Sequence, residues 1–99
     1  MFCHEVMLKL KPEYWKKHSI EAVNSALQAV QSDLSCCVFS AEAMQNCVVR
    51  DINYDILVKV RLDRKDSLEK YLNHPRHLSL SREFAPYLTE KAAVDYVLD

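Results

Sequence analysis

Four side chains of this sequence combine acid–base character with suggestive placement: His4, Tyr71, His77 and Asp95. A histidine titrates near neutral pH, so it can take a proton and return it within one cycle. His77 falls on an apolar helical stripe and His4 on an apolar strand face, so the two could border one pocket from facing elements. A carboxylate such as Asp95 could hold an imidazole by its other nitrogen and favour the imidazolium. Tyr71, six residues before His77, could donate a hydrogen bond to a carbonyl or enolate oxygen. Such a set suits proton abstraction beside a carbonyl, or its reverse. It has no evident nucleophile and needs no cofactor.

Each member also has a structural explanation. His77 and Asp95 could form a buried hydrogen-bonded pair that fixes the last strand to a helix, because structural ion pairs perturb pKa as catalytic ones do. His4 taken alone reads as a satisfied core histidine, and Tyr71 as a core residue whose hydroxyl reaches a partner. His74, beside Pro75, reads as a helix-break or cap residue. A metal is not expected. His74 and His77 stand at i, i+3, but Cys3 and His4 are adjacent on a strand and point to opposite faces. The four cysteines, Cys3, Cys36, Cys37 and Cys47, contain no C-x-x-C. The vicinal pair is too close for a relaxed disulfide, so all four are expected as reduced thiols. Tyr14, Trp15, Lys16 and Lys17 could form a lid at the pocket mouth; a solvated loop with its aromatics folded onto the helices is preferred.

The elements that must position these groups follow from periodicity. Residues 2–11 alternate, with Phe2, His4, Val6, Leu8 and Leu10 on one face, and Pro12 ends the strand. Ser19 reads as an N-cap. Ile20, Val23, Leu27, Val30 and Leu34 then recur at spacings 3, 4, 3, 4, the apolar face of an amphipathic helix, with Asn24, Gln28 and Gln31 directed elsewhere. Residues 36–45 are strand-like and 46–53 form a hairpin loop. Residues 54–62 alternate again, with Tyr54, Ile56, Val58, Val60 and Leu62 on one face. Asp66 and Glu69 resemble a capping box opening a short helix to Leu72. Asn73, His74 and Pro75 break it. His77, Leu80, Phe84 and Leu88 continue a helical face, disturbed at its end by Pro86, and residues 92–98 finish as a strand.

This order predicts the ferredoxin-like α+β plan, βαββαβ: a four-stranded antiparallel sheet with both helices on one face and the strand of His4 beside that of Asp95. The chain, 99 residues and 11.5 kDa, fits one domain over 1–99. The uncovered sheet face mixes Met7 and Leu57 with Glu5, Lys9, Asp55, Lys59 and Arg61, which suits pairing with a second copy.

Composition narrows the function classes. Residues 1–50 carry 5 basic and 5 acidic groups and residues 51–99 carry 8 and 9, so no basic field favours nucleic acid. The longest apolar run, Cys36 to Phe39, is far too short to span a bilayer, and the start lacks a signal-peptide pattern, so a cytosolic protein is expected. Glycine is absent, which excludes a P-loop and a dinucleotide fingerprint. Left-handed turn positions are then expected at Asn46, Asn53, Asp63 and Asn73.

The stretch Tyr54 to Leu62, the run Tyr71-Leu72-Asn73-His74-Pro75-Arg76-His77, and Val94-Asp95-Tyr96 resemble the stress-responsive A/B barrel domain family. The most specific part is the tyrosine followed by H-P-x-H and, 18 residues after the second histidine, an aspartate before tyrosine. The resemblance implies a dimeric α+β barrel in which the sheet packs on that of a second copy. It also implies likeness to olivetolic acid cyclase-like members, which close linear polyketides by aldol chemistry. Positions matching their functional residues are His4, Tyr71, His77 and Asp95; a further histidine of that group falls here at Ile56. The expected function is thus a homodimer with a pocket for a small apolar or carbonyl-containing ligand between sheet and helices, a cofactor-independent lyase, cyclase or isomerase with His77 as acid/base. The alternative is a non-enzymatic stress-associated or ligand-binding protein in which His77 and Asp95 are structural. A third reading, a small cofactor-free monooxygenase or muconolactone-isomerase-like enzyme, is disfavoured by the H-P-x-H element.

Overall fold

The computed structural model describes residues 1–98. Four strands, β1 (Phe2–Leu10), β2 (Val38–Gln45), β3 (Ile56–Leu62) and β4 (Leu88–Val97), form one antiparallel sheet in the order β2-β3-β1-β4. Helix α1 (Ile20–Asp33) connects β1 to β2, and α2 (Leu68–Leu72) and α3 (Pro75–Phe84) connect β3 to β4. This is the ferredoxin-like βαββαβ plan. The alternation of β1 sets its two faces: Phe2, His4, Val6, Leu8 and Leu10 are all buried, together with Ile56, Val58, Val60 and Leu62 of β3. Helix α1 lays Val23, Ala26, Leu27 and Val30 on that inner face, and α3 adds Leu80 and Phe84.

The helix start at Ser19 is as expected: its Oγ accepts from the Ala22 amide at 3.2 Å. The polar positions of α1 do more than face solvent. Asn24 Oδ1 accepts from the Ala43 amide (2.8 Å) and its Nδ2 donates to the Ala43 carbonyl (2.9 Å). Gln28 and Gln31 donate to the carbonyls of Ala41 (3.4 Å) and Phe39 (2.8 Å). One polar row of the helix thus engages the carbonyls of Phe39, Ala41 and Ala43 and the Ala43 amide on the free side of β2, an edge strand that would otherwise offer them to other chains. Asn24→Ala leaves a part-buried amide and carbonyl without partners. Thermal unfolding should show a loss of about 1–3 kcal/mol, with light scattering on heating rising above wild type.

Several local expectations are corrected. Strand β3 begins at Ile56, not Tyr54, because Asp55 replaces the ladder: its Oδ2 accepts from the Leu10 amide (2.7 Å) and its own amide donates to the Leu8 carbonyl (2.8 Å). Strand β4 begins at Leu88, four residues early, directly after a 3-10 turn containing Pro86. The capping box expected at Asp66 and Glu69 is not formed: the N-cap of α2 is Ser67, with no side-chain cap bond, and Asp63 instead braces the turn before it. Its Oδ1 accepts from the Ser67 hydroxyl (2.5 Å) and the Arg64 amide (2.8 Å), and the Ser67 bond foremost holds its carboxyl below the usual range. In the segment 12–18 the aromatics fold onto the helical layer as expected, but from a 3-10 helix, Pro12–Lys16, rather than a loop, and Tyr14 is only 1% exposed. The ring stacks on His18 (4.4 Å) and Phe84 (5.3 Å) and meets Trp15 and Tyr87 edge-on. Cys3 is buried although it lies opposite the inner face. Finally, no described residue has positive φ. Asn46 and Asn53 serve the long β2–β3 loop through their side chains instead, both donating to the Val48 carbonyl (2.6 and 3.1 Å).

On the outer face the register lines up Ala92, Met7, Leu57 and Met44 as one apolar row across all four strands. The next row, Val94, Glu5, Lys59 and Glu42, alternates charge, and the Tyr96 hydroxyl donates to Glu5.

Candidate functional site

The register of β1 and β4 decides where the acid–base residues meet. Antiparallel pairing sets His4 directly opposite Asp95, and opposed residues share a face. His4 Nδ1 lies 2.5 Å from Asp95 Oδ1, so the Nδ1–H donates to the carboxylate and the ring's tautomer and orientation are fixed. The pair expected between His77 and Asp95 is therefore not formed. His77 is oriented by its own chain turn: its Nδ1–H donates to the Leu72 carbonyl at 2.9 Å.

His77 reaches this position because the chain breaks at His74. His74 caps α3, its Nδ1 accepting from the Arg76 amide (3.0 Å), while its Nε2–H donates to Asp33 Oδ2 (2.8 Å) at the end of α1. The cap role expected for His74 is the one found. Pro75 then occupies the first turn of α3, where its missing N–H costs nothing, and His77 follows on the face turned to the sheet.

Tyr71 sits between the two imidazoles. Its ring centroid lies 5.9 Å from that of His4 and 4.7 Å from that of His77. All three line a cavity of about 240 Å³ between α3 and the β1–β4 side of the sheet, whose other walls include Val6, Leu27, Val58, Leu80 and Phe84. Asp95 is not a wall; it acts on the cavity through His4. Of the residues expected to shape the space, Phe84 does so, whereas Phe2 and Ile56 belong to the core and Leu88 packs against it. Ile56, the position where the resemblance implied a further functional histidine in relatives, is 1% exposed and offers no titratable group.

Burial tunes two of the groups. It pushes the Tyr71 phenol well above its ordinary range, so the hydroxyl stays protonated and can only donate or accept hydrogen bonds. It lowers the His77 pKa from its ordinary value: burial is the largest cause and outweighs the opposing bond to Leu72, and the charges of His4, Lys91 and His74 add smaller effects in the same direction. At neutral pH His77 is therefore an uncharged ring whose Nδ1 is engaged and whose Nε2 keeps its lone pair. Two wall residues escaped the sequence reading: Ser81 of α3 and Lys91 of β4. Lys91 was hidden because the last strand was expected over 92–98 whereas β4 begins at Leu88, and the residues between, Thr89, Glu90 and Lys91, show no apolar alternation. Among the described residues no three His, Cys, Asp or Glu side chains are grouped to hold a metal ion, and no helix is long and apolar enough to cross a membrane.

Comparison with known proteins matches residues 2–98 to the family model described as Dabb, the Stress Responsive A/B Barrel Domain. No curated protein matches. Among solved structures, a dimeric ferredoxin-like protein of unknown function from Bacteroides fragilis is similar at a TM-score of 0.80 and 22% identity, over 98% of this chain and 95% of that one. A dimeric ferredoxin-like protein of unknown function from Thermobifida fusca gives 0.75 and 23%, over 98% and 90%. A proposed antibiotic biosynthesis monooxygenase from Nitrosomonas europaea gives 0.75 and 14%, over 98% and 97%. These likenesses concern the fold, which hosts more than one activity, so chemistry must be argued from the cavity.

Proposed function

The chain belongs to the stress responsive A/B barrel domain family, and from that premise we propose a homodimeric, cofactor-independent acid–base catalyst acting beside a carbonyl group. One observation carries the reading. Two imidazoles, each with Nδ1 tied to a protein acceptor, flank a permanently protonated tyrosine on the wall of a largely apolar cavity. In this reading His77 Nε2 removes a proton from the carbon beside the carbonyl. The Tyr71 hydroxyl donates to the oxygen as it gains negative charge, and the apolar walls keep that hydrogen bond strong. His4, steadied by Asp95, is the second proton-transfer group, able to return a proton on the other side of the substrate. The outcome, cyclisation, isomerisation or elimination, follows from the substrate's own carbon skeleton.

The test uses small ketones in D₂O, with 2-hexanone as the first probe. Deuterium should enter the carbons beside the carbonyl faster with protein than without, as read by NMR. Binding of the ketone with no exchange above buffer would overturn catalysis and leave a ligand-binding protein.

Similar proteins are dimers, and in this reading the dimer of this chain uses the outer sheet face. The Ala92-Met7-Leu57-Met44 row supplies its apolar centre, and the charged row beside it sets the register. Light scattering should give twice the 11.5 kDa chain mass, and Leu57→Asp, which puts a charge in the middle of that row, should give the chain mass alone. A wild-type mass of 11.5 kDa at micromolar concentration would refute the dimer.

A further inference from the structure

We propose that Lys91 is the anion-recognition residue of the cavity, and that the cavity takes small carboxylates with an apolar body. The proposal rests on the cavity being the ligand site, but not on any reaction occurring there.

Among the described residues, Lys91 is the only permanently charged one in the cavity wall. It stands on the inner face of β4, opposite Leu8, with Ala93 and Asp95 following on the same face. Its carboxylate neighbour in sequence, Glu90, points to the other face and approaches Lys9 instead. Among the described residues Lys91 enters no ion pair. Asp95, the acid nearest along its face, is engaged by His4. Lys91 is thus an exposed, unpaired cation whose side chain lines the rim of an apolar hollow, and the exposed Ser81 of α3 lines the same hollow.

Placement gives the ligand a direction. Lys91 and Asp95 are four residues apart on one strand, about 13 Å at a rise of ~3.3 Å per residue. The strand positions that carry Lys91 and the His4–Asp95 pair are therefore set apart along the sheet floor of the hollow. A carboxylate held at Lys91 would lay its apolar body along Val6, Leu8 and Leu80 and present its far end to Tyr71 and the histidines. The volume, about 240 Å³, lies below the ~300–1,000 Å³ of drug-sized sites, which restricts the ligand to a small one. Within the acid–base reading the class narrows to oxo-carboxylates whose carbonyl lies several bonds from the carboxylate. The cation also opposes protonation of His77, so a bound carboxylate would partly relieve that effect.

NMR titration of the whole protein with hexanoate and its neutral isostere hexanamide tests the proposal. Hexanoate should bind about fivefold more tightly than hexanamide at low salt, the difference shrinking as ionic strength rises. Lys91→Met should erase the difference while leaving hexanamide affinity unchanged, and Lys91→Arg should keep it. Equal binding of the two probes, a preference that survives Lys91→Met, or binding of neither would each overturn the proposal. Failure of the acid–base reading looks different: ketone exchange is absent while the hexanoate preference persists.

Discussion

His77→Gln is expected to lower the rate of ketone proton exchange by about 10²–10⁴-fold, the usual contribution of a positioned general base. Glutamine can still donate to the Leu72 carbonyl, so the turn into α3 and the melting temperature should change little. The loss would then be chemical rather than structural. The pH profile supplies a second check. Proton abstraction needs the uncharged ring, and the folded-state pKa of His77 lies below 6.5. The wild-type rate should therefore be low in acid, rise through a midpoint below pH 6.5, and stay flat above it, where the buried Tyr71 remains protonated. A midpoint above 6.5, or an unchanged rate in His77→Gln, would assign the base to another residue. Tyr71→Phe separates the roles further: it should slow exchange by about 10²–10³-fold, as expected for removing one oxyanion donor, without moving the midpoint far.

The largest expected loss of stability lies elsewhere, at Tyr14. Truncation to alanine removes a fully buried ring held by four aromatic partners and leaves a cavity between the 3-10 segment and α3. The cost should be about 3–5 kcal/mol. At about 4–8 °C per kcal/mol for a chain of this size, the melting temperature should drop by at least ~12 °C. Tyr14→Phe should cost far less. Burial and the nearby Glu83 push the phenol up to about 12, so it carries no charge at working pH, and the ring does the packing. A fall below ~1 kcal/mol for Tyr14→Ala would mean the segment frays in solution.

The difference between these two residues shows what was legible in the sequence. Helix α1 and strands β1 and β3 announce themselves, because a long stripe of period 3.6 or 2 has one way to bury its apolar face. Of the pocket's members, His4 and His77 were legible for the same reason, each falling on such a stripe, whereas Tyr71 was singled out by its spacing from His77 and by the resemblance. Their partners were not. Adjacency of β1 and β4 was deducible from topology, but only the register sets Asp95 against His4, and a slip of two residues would have kept every face the same. Tyr14 was underestimated because a five-residue 3-10 helix leaves no periodic trace. Lys91 was overlooked because the early start of β4 depends on the turn at Pro86, which has no alternation to extend.

The absence of left-handed residues has a bearing on what substitutions this chain can accept. Every described residue holds a backbone angle open to any L-amino acid with a β-carbon. Alanine can thus be placed at any described non-proline position without forcing a left-handed main chain on it, and what is lost reports packing, hydrogen bonding and local propensity. The unfolded chain, lacking glycine throughout, also has fewer conformations to give up on folding. A complete alanine scan of this protein would be a map of packing, hydrogen bonding and local propensity, free of the left-handed backbone penalties that usually complicate one.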